Sequence, residues 1–291
     1  MNGWLLIDKP IGITSFQAVN SLQKLLKVKI GHCGTLDPFA SGFLLVAINK
    51  ATKLVEYVMD FEKDYSFDVQ WGTATNTDDL TGKIINNCTV IPKKDEILGK
   101  LSTFIGDINQ VPPIFSAIKV DGIRAYQYAR KGVCITLKPR QVRLKRFSLL
   151  SHKDNISSFN IVTGKGFYVR SLARDLARSL NTFAHVIKLR RNLHGIFYKE
   201  NMVNYEKIND FLHKTELYDY IMSRVLPLDY VLSGIHMHHL NLSESQKLRN
   251  GQRVFVKSLT EDNSKVAVKN GKELVALCSY VDGFLRPMKI F

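Results

Sequence analysis

A glycine-punctuated stretch at residues 29–42 constrains this chain most, because neither a helix nor a strand can run through it. It reads KIGHCGTLDPFASG and holds one acid, Asp37, directly before Pro38. The proline pushes Asp37 out of the helical region, while Gly31 and Gly34 permit a tight backbone path. The stretch is therefore predicted to be a loop that can aim a carboxylate at a ligand. An Asp-Pro pair taken alone is more often an ordinary turn.

Regular elements are predicted on both sides of this loop. A strand at 4–7 and a helix that opens with a capping box at Thr14 precede it, and a buried strand at 43–48 follows it. Period-two alternation at 65–71 predicts a further strand with Tyr65 on its inward face.

The rest of the first 230 residues mixes strands with helices. The helix that opens at Thr14 is expected to bury Phe16, Val19, Leu22 and Leu26. Further strands are predicted at 82–86, 116–120, 142–150 and 159–163, and further helices at 52–61, 93–104, 124–131 and 168–180. This mixture predicts an α+β fold, in which a mixed, mostly antiparallel sheet is flanked by helices.

The pattern changes past about Asp229. A short helix at 242–248 is followed by short strands separated by Gly-containing turns, which is typical of a small β-barrel. The strands are predicted at 253–256, 265–269, 273–280 and 284–291. Because 291 residues exceed the usual size of one domain, we expect two domains, 1–232 and 233–291.

Charge and composition limit the classes of function. Lysine and arginine total 41 against 26 acids, a net charge of +15, which favours a polyanionic partner, with nucleic acid foremost. The four cysteines form no Cys-x-x-Cys pair, so neither a zinc ribbon nor a disulfide framework is predicted. The N-terminus does not resemble a signal peptide, and no apolar run is long enough for a membrane span. A soluble, cytoplasmic protein is therefore expected.

Asp37 is the leading candidate for chemistry, since a fixed, ionised carboxylate can act as a nucleophile, a general base or a metal ligand. His32 is five residues away and no second acid is near, so no metal site is predicted. Arg170, Arg174 and Arg178 recur every four residues, which predicts a basic stripe on one helix face. A guanidinium from this stripe could keep Asp37 ionised, or the stripe could be an ordinary solvated face.

Other candidate residues have two readings each. Tyr65 and Tyr168 are either core aromatics or, with cations beside them, stacking surfaces for an unpaired base. The basic run at 188–191 is either exposed to solvent or a track for phosphates. Asp79 either caps a hairpin or belongs to the site, and His32 could be an incidental turn residue.

Several ordered blocks resemble one known family. They are Asp8-Lys9-Pro10, the loop from Gly31 to Gly42, Ala51-Thr52-Lys53, Lys63-Asp64-Tyr65, the run from Lys165 to Arg170, and the run from His185 to Arg191. In this order they resemble the bacterial tRNA pseudouridine-55 synthases, the TruB family, and the tail resembles the PUA domain of that family. The resemblance covers nearly the whole chain.

The resemblance implies that the chain isomerises one uridine in the T arm of tRNA by flipping the base out of the RNA. It implies a catalytic domain at 1–232 with the pseudouridine synthase fold, a PUA-like RNA-binding domain at 233–291, and no cofactor or metal. It places Asp37 as the catalytic residue. The implied substrate-binding residues are His32, Tyr65, Tyr168 and Leu189, and the implied supporting residues are Arg170, Lys9, Lys53 and Asp79.

The sequence leaves the chemical path open: Asp37 could add to C6 of the base, or attack or deprotonate the sugar. The partner expected from the resemblance is the T-arm stem-loop of tRNA, bound by a monomer without a membrane. The alternative function is a non-catalytic module that binds or folds tRNA, although pure binding would tolerate a neutral residue at position 37.

Overall fold

The structure is a computed structural model that describes residues 1–209, 214–257, 259 and 265–291. The strands of the first part are β1 (Gly3–Lys9), β2 (Ile30–His32), β3 (Ser41–Ile48), β4 (Lys63–Trp71), β5 (Thr73–Thr75), β6 (Ile84–Asn87), β7 (Gly106–Gln110), β8 (Lys119–Val120), β9 (Ile123–Arg124), β10 (Arg140–Lys153), β11 (Ile156–Thr163), β12 (Ala184–His194) and β13 (Met202–Asn204). The later strands are β14 (His236–His239), β15 (Val254–Phe255), β16 (Val266–Asn270), β17 (Glu273–Val281) and β18 (Phe284–Ile290). The α-helices are α1 (Ser15–Leu26), α2 (Val55–Met59), α3 (Lys94–Leu101), α4 (Ala125–Arg130), α5 (Val169–Ser179), α6 (Lys214–Met222) and α7 (Leu242–Arg249).

One nine-stranded sheet organises the first part of the chain. Its order is β13-β1-β3-β12-β4-β11-β10-β7, and β2 pairs with β3. The β1–β13 and β3–β12 pairs are parallel, and the other pairs are antiparallel. The predicted mixed, mostly antiparallel sheet with flanking helices is confirmed.

Both faces of the sheet are covered at β1 and β3. One face joins α1 and α5 in the largest apolar core, to which β1 contributes Leu5 and Ile7. The other face, which includes Trp4 and Leu45, packs against the segment around α2 and against the C-terminal sheet. Burial on both sides explains why these two strands are continuous apolar runs without polar alternation.

The C-terminal part is a curled five-stranded half-barrel with its own apolar core. Its strand order is β14-β16-β17-β18-β15, and only the β14–β16 pair is parallel among these strands. The predicted turn at Asp282-Gly283 is confirmed, with positive φ at both residues. Strand β14 and the two-residue length of β15 were not predicted.

Three predictions about local structure need correction. Phe16 is 70% exposed, because Ser15 takes the inward position at the start of α1 and forms hydrogen bonds there with Leu36. The helix predicted at 52–61 is a 3-10 turn over Asn49–Leu54 followed by the short α2. The strand predicted at 116–120 is only the two-residue β8, which forms a hairpin with β9.

Candidate active site

The loop that carries Asp37 joins β2 to β3 and is held against the start of α1. Ser15 Oγ accepts a hydrogen bond from the Leu36 N–H at 2.8 Å and lies 3.1 Å from the Leu36 carbonyl oxygen, to which it donates. The Gly12 N–H donates to the Pro38 carbonyl at 2.8 Å. Both neighbours of Asp37 are therefore tied to the segment between β1 and α1.

Arg191 holds both ends of the same loop from the sheet side. It is 1% exposed, and its Nε donates to the Phe43 carbonyl at 2.6 Å while Nη2 donates to the Gly34 carbonyl at 3.2 Å. Arg190, its neighbour, forms an ion pair with Asp8 at 2.9 Å. Arg191 is therefore too buried to line the predicted phosphate track at 188–191, whereas the side chain of Arg190 is 35% exposed beside Asp8.

The Asp37 carboxylate is held by Arg170 through two contacts. Arg170 Nη2 lies 3.0 Å from Oδ1 and Nε lies 2.9 Å from Oδ2, the side-by-side geometry that a guanidinium offers a carboxylate. The Arg170 side chain is only 4% exposed, whereas that of Asp37 is 31% exposed. The acid is thus fixed from behind and open to a ligand in front.

Arg170 has further partners besides Asp37. Nη1 donates to the Thr77 carbonyl at 2.9 Å and lies 3.4 Å from Asp79 Oδ2, and Nη2 donates to the Phe115 carbonyl at 3.0 Å. Each of the three guanidinium nitrogens therefore has an acceptor within 3.0 Å. These contacts with two carboxylates and two carbonyls hold the guanidinium in its orientation.

Asp79 is buried and shapes the turn beside the pair. Its Oδ1 accepts from Thr77 Oγ1 at 2.8 Å, from the Thr81 N–H at 2.9 Å and from Thr81 Oγ1 at 2.6 Å. Both readings of Asp79 thus hold, because it caps this turn and also contacts Arg170.

The predicted basic stripe on α5 is not one continuous face. Arg174 lies in an ion pair with Asp78 at 2.9 Å and with Asp175 at 3.0 Å, while the Arg178 side chain is 69% exposed. Arg170 and Arg174 form ion pairs with carboxylates of the protein, and of the three arginines only Arg178 is mainly exposed to solvent.

Charge and burial act together on the groups near Asp37. Burial raises the pKa of Asp37 above its ordinary value, and the Arg170 guanidinium opposes this rise. Burial also lowers the pKa of Lys9 to about 8, against the attraction of Asp37. Lys9 is fully buried and donates to the carbonyls of Pro10 and Ile13 at 2.7 and 2.8 Å.

Three of the predicted substrate-binding residues lie on α5 and on the neighbouring strands β12 and β4. Tyr168 occupies the N-cap position of α5, and burial raises the pKa of its phenol, which also interacts electrostatically with Asp37. Leu189 on β12 is 5% exposed and in register with Phe67 of β4. Tyr65, on β4, is half-buried against the large core and in register with Arg191.

His32 and Lys53 form no hydrogen bond or ion pair with Asp37 among the residues that the structure describes. His32 is on β2; its Nδ1 is buried without a hydrogen-bond partner in the described part of the chain, and burial lowers the pKa of the ring. Lys53 Nζ donates to the Ile290 carbonyl at 2.7 Å. In turn, Lys289 Nζ donates a hydrogen bond to the Lys53 carbonyl at 2.7 Å. The structure therefore joins Lys53 to the C-terminal sheet and not to Asp37.

Sequence reasoning missed the residues that hold the site from a distance. They are Ser15 and Arg191. Ser15 was visible only as part of a capping box, and nothing in the local sequence shows that Arg191 reaches the carbonyls of Gly34 and Phe43.

Comparison with known protein families settles the relationship. The sequence model for the TruB family pseudouridylate synthase N-terminal domain matches residues 23–169, and that for the tRNA pseudouridylate synthase B C-terminal domain matches residues 170–233. The chain belongs to the TruB family. The resemblance read from the motifs is confirmed.

Relatives of this TruB-family chain match over its full length. It is 41% identical to the tRNA pseudouridine synthase B of Ehrlichia chaffeensis over 300 residues, which cover 100% of this chain and 99% of the relative. The protein of the same name from Rhodospirillum rubrum is 41% identical over 301 residues, covering 100% and 96%.

Solved structures share the fold. A chain from a Cbf5-Nop10-Gar1 complex superimposes with a TM-score of 0.72 at 23% identity, covering 99% of this chain and 84% of that chain. A chain from an H/ACA RNP bound to a substrate RNA containing 2'-deoxyuridine gives a TM-score of 0.73 at 22% identity, with the same two coverages.

Neither a metal cluster nor a membrane helix is found in the described residues. They hold no group of three or more histidine, cysteine or acidic side chains placed to bind a metal ion. No helix within them has the length and apolar character needed to cross a membrane.

Gly42, at the start of β3, is expected to be intolerant of a side chain. Its φ is 99°, and an added Cβ would lie 2.2 Å from the Arg191 carbonyl oxygen. Gly42→Ala is therefore expected to lower the free energy of unfolding of this TruB-family protein by about 3–5 kcal/mol, from overpacking and left-handed strain. Gly271→Ala, with φ of 56° and open space, is the control and should cost only about 1–2 kcal/mol in urea denaturation. Equal losses would contradict the predicted clash.

Lys63 is expected to make the free energy of unfolding increase with pH in the alkaline range. It is 6% exposed, and burial lowers its pKa to about 8, with Arg191 adding to the shift. The unfolded chain, with a lysine pKa of about 10.4, binds more protons than the folded protein above pH 8, so this residue makes stability rise with pH between about 8 and 10.

Lys63→Met should therefore reduce the slope of the free energy of unfolding against pH, measured by urea denaturation between pH 8 and 10. The reduction should be at most about 1.4 kcal/mol per pH unit. The exposed Lys24→Met serves as the control and should leave the slope unchanged. An unaltered slope in Lys63→Met would show that the buried amine is not the source.

Proposed function

We propose that this protein converts one uridine of tRNA to pseudouridine, at position 55 in the T arm, and that Asp37 is the reacting group. Asp37 carries the proposal, because it is a carboxylate held by a buried arginine and open on one side. The family, and relatives named for tRNA pseudouridine synthesis, supply the reaction class. The protein is proposed to act on cytoplasmic tRNA as a monomer.

The reaction needs no external reagent. The N1–C1′ bond breaks, the uracil turns, a C5–C1′ bond forms, the C5 proton leaves and N1 gains a proton. An anion that stays in place through these steps can add to C6, or attack or deprotonate the sugar. Arg170 serves each path, since it holds the carboxylate and stabilises its charge.

The neighbouring side chains are proposed to receive a flipped uridine. Tyr65 would stack on the base and assist removal of the C5 proton, while Tyr168 and Leu189 would border the pocket. His32 would fill the space that the base leaves in the RNA loop. Its neutral ring suits an apolar gap, since burial already lowers its pKa. Base extrusion costs a few kcal/mol, which such contacts must offset.

Lys9 and Asp79 are proposed to support the Asp37–Arg170 pair from within the protein. Lys53 is proposed to support RNA binding indirectly, through its bond to the C-terminal sheet. We propose 1–232 as the catalytic domain and 233–291 as a PUA-like RNA-binding domain, a division supported by the end of the second family match at residue 233.

A direct test uses a tRNA transcript and sequencing for pseudouridine at position 55. The wild-type protein should convert that uridine without metal or cofactor, and a transcript with cytidine at position 55 should gain no pseudouridine at any other position. If the protein binds the transcript but leaves the uridine unchanged, it is a tRNA-binding or tRNA-folding module instead.

A basic segment at 117–146 is the proposed contact for the RNA backbone. Its only acid is Asp121. Its basic residues are Lys119, Arg124, Arg130, Lys131, Lys138, Arg140, Arg143, Lys145 and Arg146. The last three form ion pairs, and the other six have no carboxylate partner in the part of the chain that the structure describes.

Replacing Arg130 and Lys131 with glutamine is expected to weaken tRNA binding more at low salt than at high salt. Each phosphate interaction that the variant loses, up to two, should reduce the slope of log K against log salt by about 0.7–0.9. Fluorescence binding titrations from 50 to 300 mM KCl measure this slope, and Arg190→Gln, whose partner is Asp8, is the control. A uniform loss of affinity at every salt concentration would contradict a phosphate interaction.

A further inference from the structure

A short segment after β7 supports the first turn of α5, from which Arg170 projects. We call this segment, residues 110–115, the strap. Gln110 is 2% exposed; its Oε1 accepts from the Tyr168 N–H at 2.8 Å and its Nε2 donates to the Tyr168 carbonyl at 3.1 Å. One side-chain amide thus binds both backbone groups of the helix N-cap, whose own side chain does not cap the helix.

Backbone carbonyls of the strap add three more bonds to α5. The Val111 carbonyl accepts from Ser171 Oγ at 2.8 Å and from Arg174 Nη2 at 2.7 Å. The Phe115 carbonyl accepts from Arg170 Nη2 at 3.0 Å. The two prolines between them have no N–H to offer, so the strap faces the helix as a set of acceptors.

We propose that Gln110 is a positioning residue for the reaction, acting through Tyr168 and Arg170 on the orientation of Asp37. This rests on the proposed function for the identity of the reaction. Because Arg170 is 4% exposed and is held by Asp37, Asp79 and two backbone carbonyls, a shift of the first turn of α5 is expected to move the Asp37 carboxylate. A displacement of about 1 Å at a reacting group can cost about 100-fold in rate.

Gln110→Met tests the proposal, since it keeps the length of the side chain and removes both hydrogen bonds. The single-turnover rate constant on saturating tRNA transcript is expected to fall by about 10–100-fold, while Kd for the transcript changes by less than about threefold. Gln23→Met, at an exposed position of α1, is the matched control and should keep the wild-type rate. All rates are normalised to the folded fraction from thermal melting.

Gln110→Glu adds a readout that a loss of folded protein would not give. An ionised glutamate can accept from the Tyr168 N–H but cannot donate to its carbonyl, whereas a protonated one offers one donor and one acceptor as the amide does. The rate of Gln110→Glu relative to wild type should therefore rise as pH falls from 8 to 5.5. A constant ratio over this range would overturn the proposed pairing.

A Gln110→Met rate within twofold of wild type would overturn the proposal, as would a loss that lies in Kd alone. If Gln110→Met does not fold, Ser171→Ala removes a strap contact of the same helix and should lower the rate about 3–10-fold, with an unchanged rate counting against the strap.

If wild-type protein leaves the uridine unchanged, the proposed function fails separately. Amide exchange at 168–172 then decides: faster exchange in Gln110→Met than in Gln23→Met supports the strap, and equal exchange overturns it.

Discussion

Asp37→Asn is expected to abolish pseudouridine formation while the protein still binds tRNA. The substitution keeps the size of the side chain and removes the negative charge that the reaction needs. Loss of a group that acts as nucleophile or base should lower the single-turnover rate by about 10⁴-fold or more. Binding should stay within about threefold of wild type, because the RNA is held mainly by other residues.

The control for Asp37→Asn is Asp78→Asn. Asp78 pairs with Arg174 at 2.9 Å, one helical turn along α5 from Arg170, so the variant removes the same charge from a similar pair. It should lose less than about tenfold in rate. Comparable losses in the two variants would show that the effect comes from weakening α5 and would contradict a reacting Asp37.

The acid side of the pH profile gives a second check on Asp37. The ionised carboxylate is the reactive form, so the wild-type rate should fall as pH drops through its pKa. Burial raises that pKa, with Arg170 opposing, so the fall should begin at a higher pH than for an exposed aspartate. The residual rate of Asp37→Asn should not show this fall at acid pH.

Arg170→Lys is expected to lower both the rate and the stability strongly. A lysine cannot make the two contacts with Asp37, and it would leave Asp79 Oδ2 and the carbonyls of Thr77 and Phe115 without the Arg170 N–H groups that face them. We expect the single-turnover rate to fall by about 10²–10³-fold, and the free energy of unfolding to fall by about 3–5 kcal/mol, the range for breaking a buried ion pair.

Arg178→Lys is the matched control, since it lies on the same helix with a side chain that is 69% exposed. It should change stability by less than about 0.5 kcal/mol and the rate by less than twofold. Urea denaturation and single-turnover assays of both variants measure the two effects. An Arg170→Lys protein that is unstable but fully active per folded molecule would contradict a role in orienting Asp37.

The sequence was sufficient for the parts of the fold and site that local patterns control. The capping box at Thr14 opens α1, and the turn at Asp282-Gly283 joins β17 to β18 with positive φ at both residues. The Asp37 loop followed from one proline and two glycines. The family motifs also implied Arg170 as a supporting residue, and in the structure Arg170 contacts Asp37, 133 positions away.

Long-range contacts account for what the sequence did not reveal. Arg191 looks like a surface cation in a basic run, yet it is buried because the carbonyls of Gly34 and Phe43 accept its N–H groups. Phe16 fits an apolar helical period, yet the inward position belongs to Ser15, because its hydroxyl binds Leu36. The spacing of apolar residues predicts which helix face is buried, but it does not show which distant backbone carbonyls will accept hydrogen bonds from buried polar side chains.

The packing of the C-terminal sheet bears on how such a chain can become shorter. Phe291, the last residue, lies in the same apolar cluster as Trp4 and Leu45, together with Leu277 and other residues of that sheet. Loss of the C-terminal sheet would expose the side chains of Trp4 and Leu45 to water, at a cost of about 25 cal/mol per Å² of apolar surface. A shorter protein would first need polar residues at these positions, so β1, β3 and the C-terminal sheet are bound to change together.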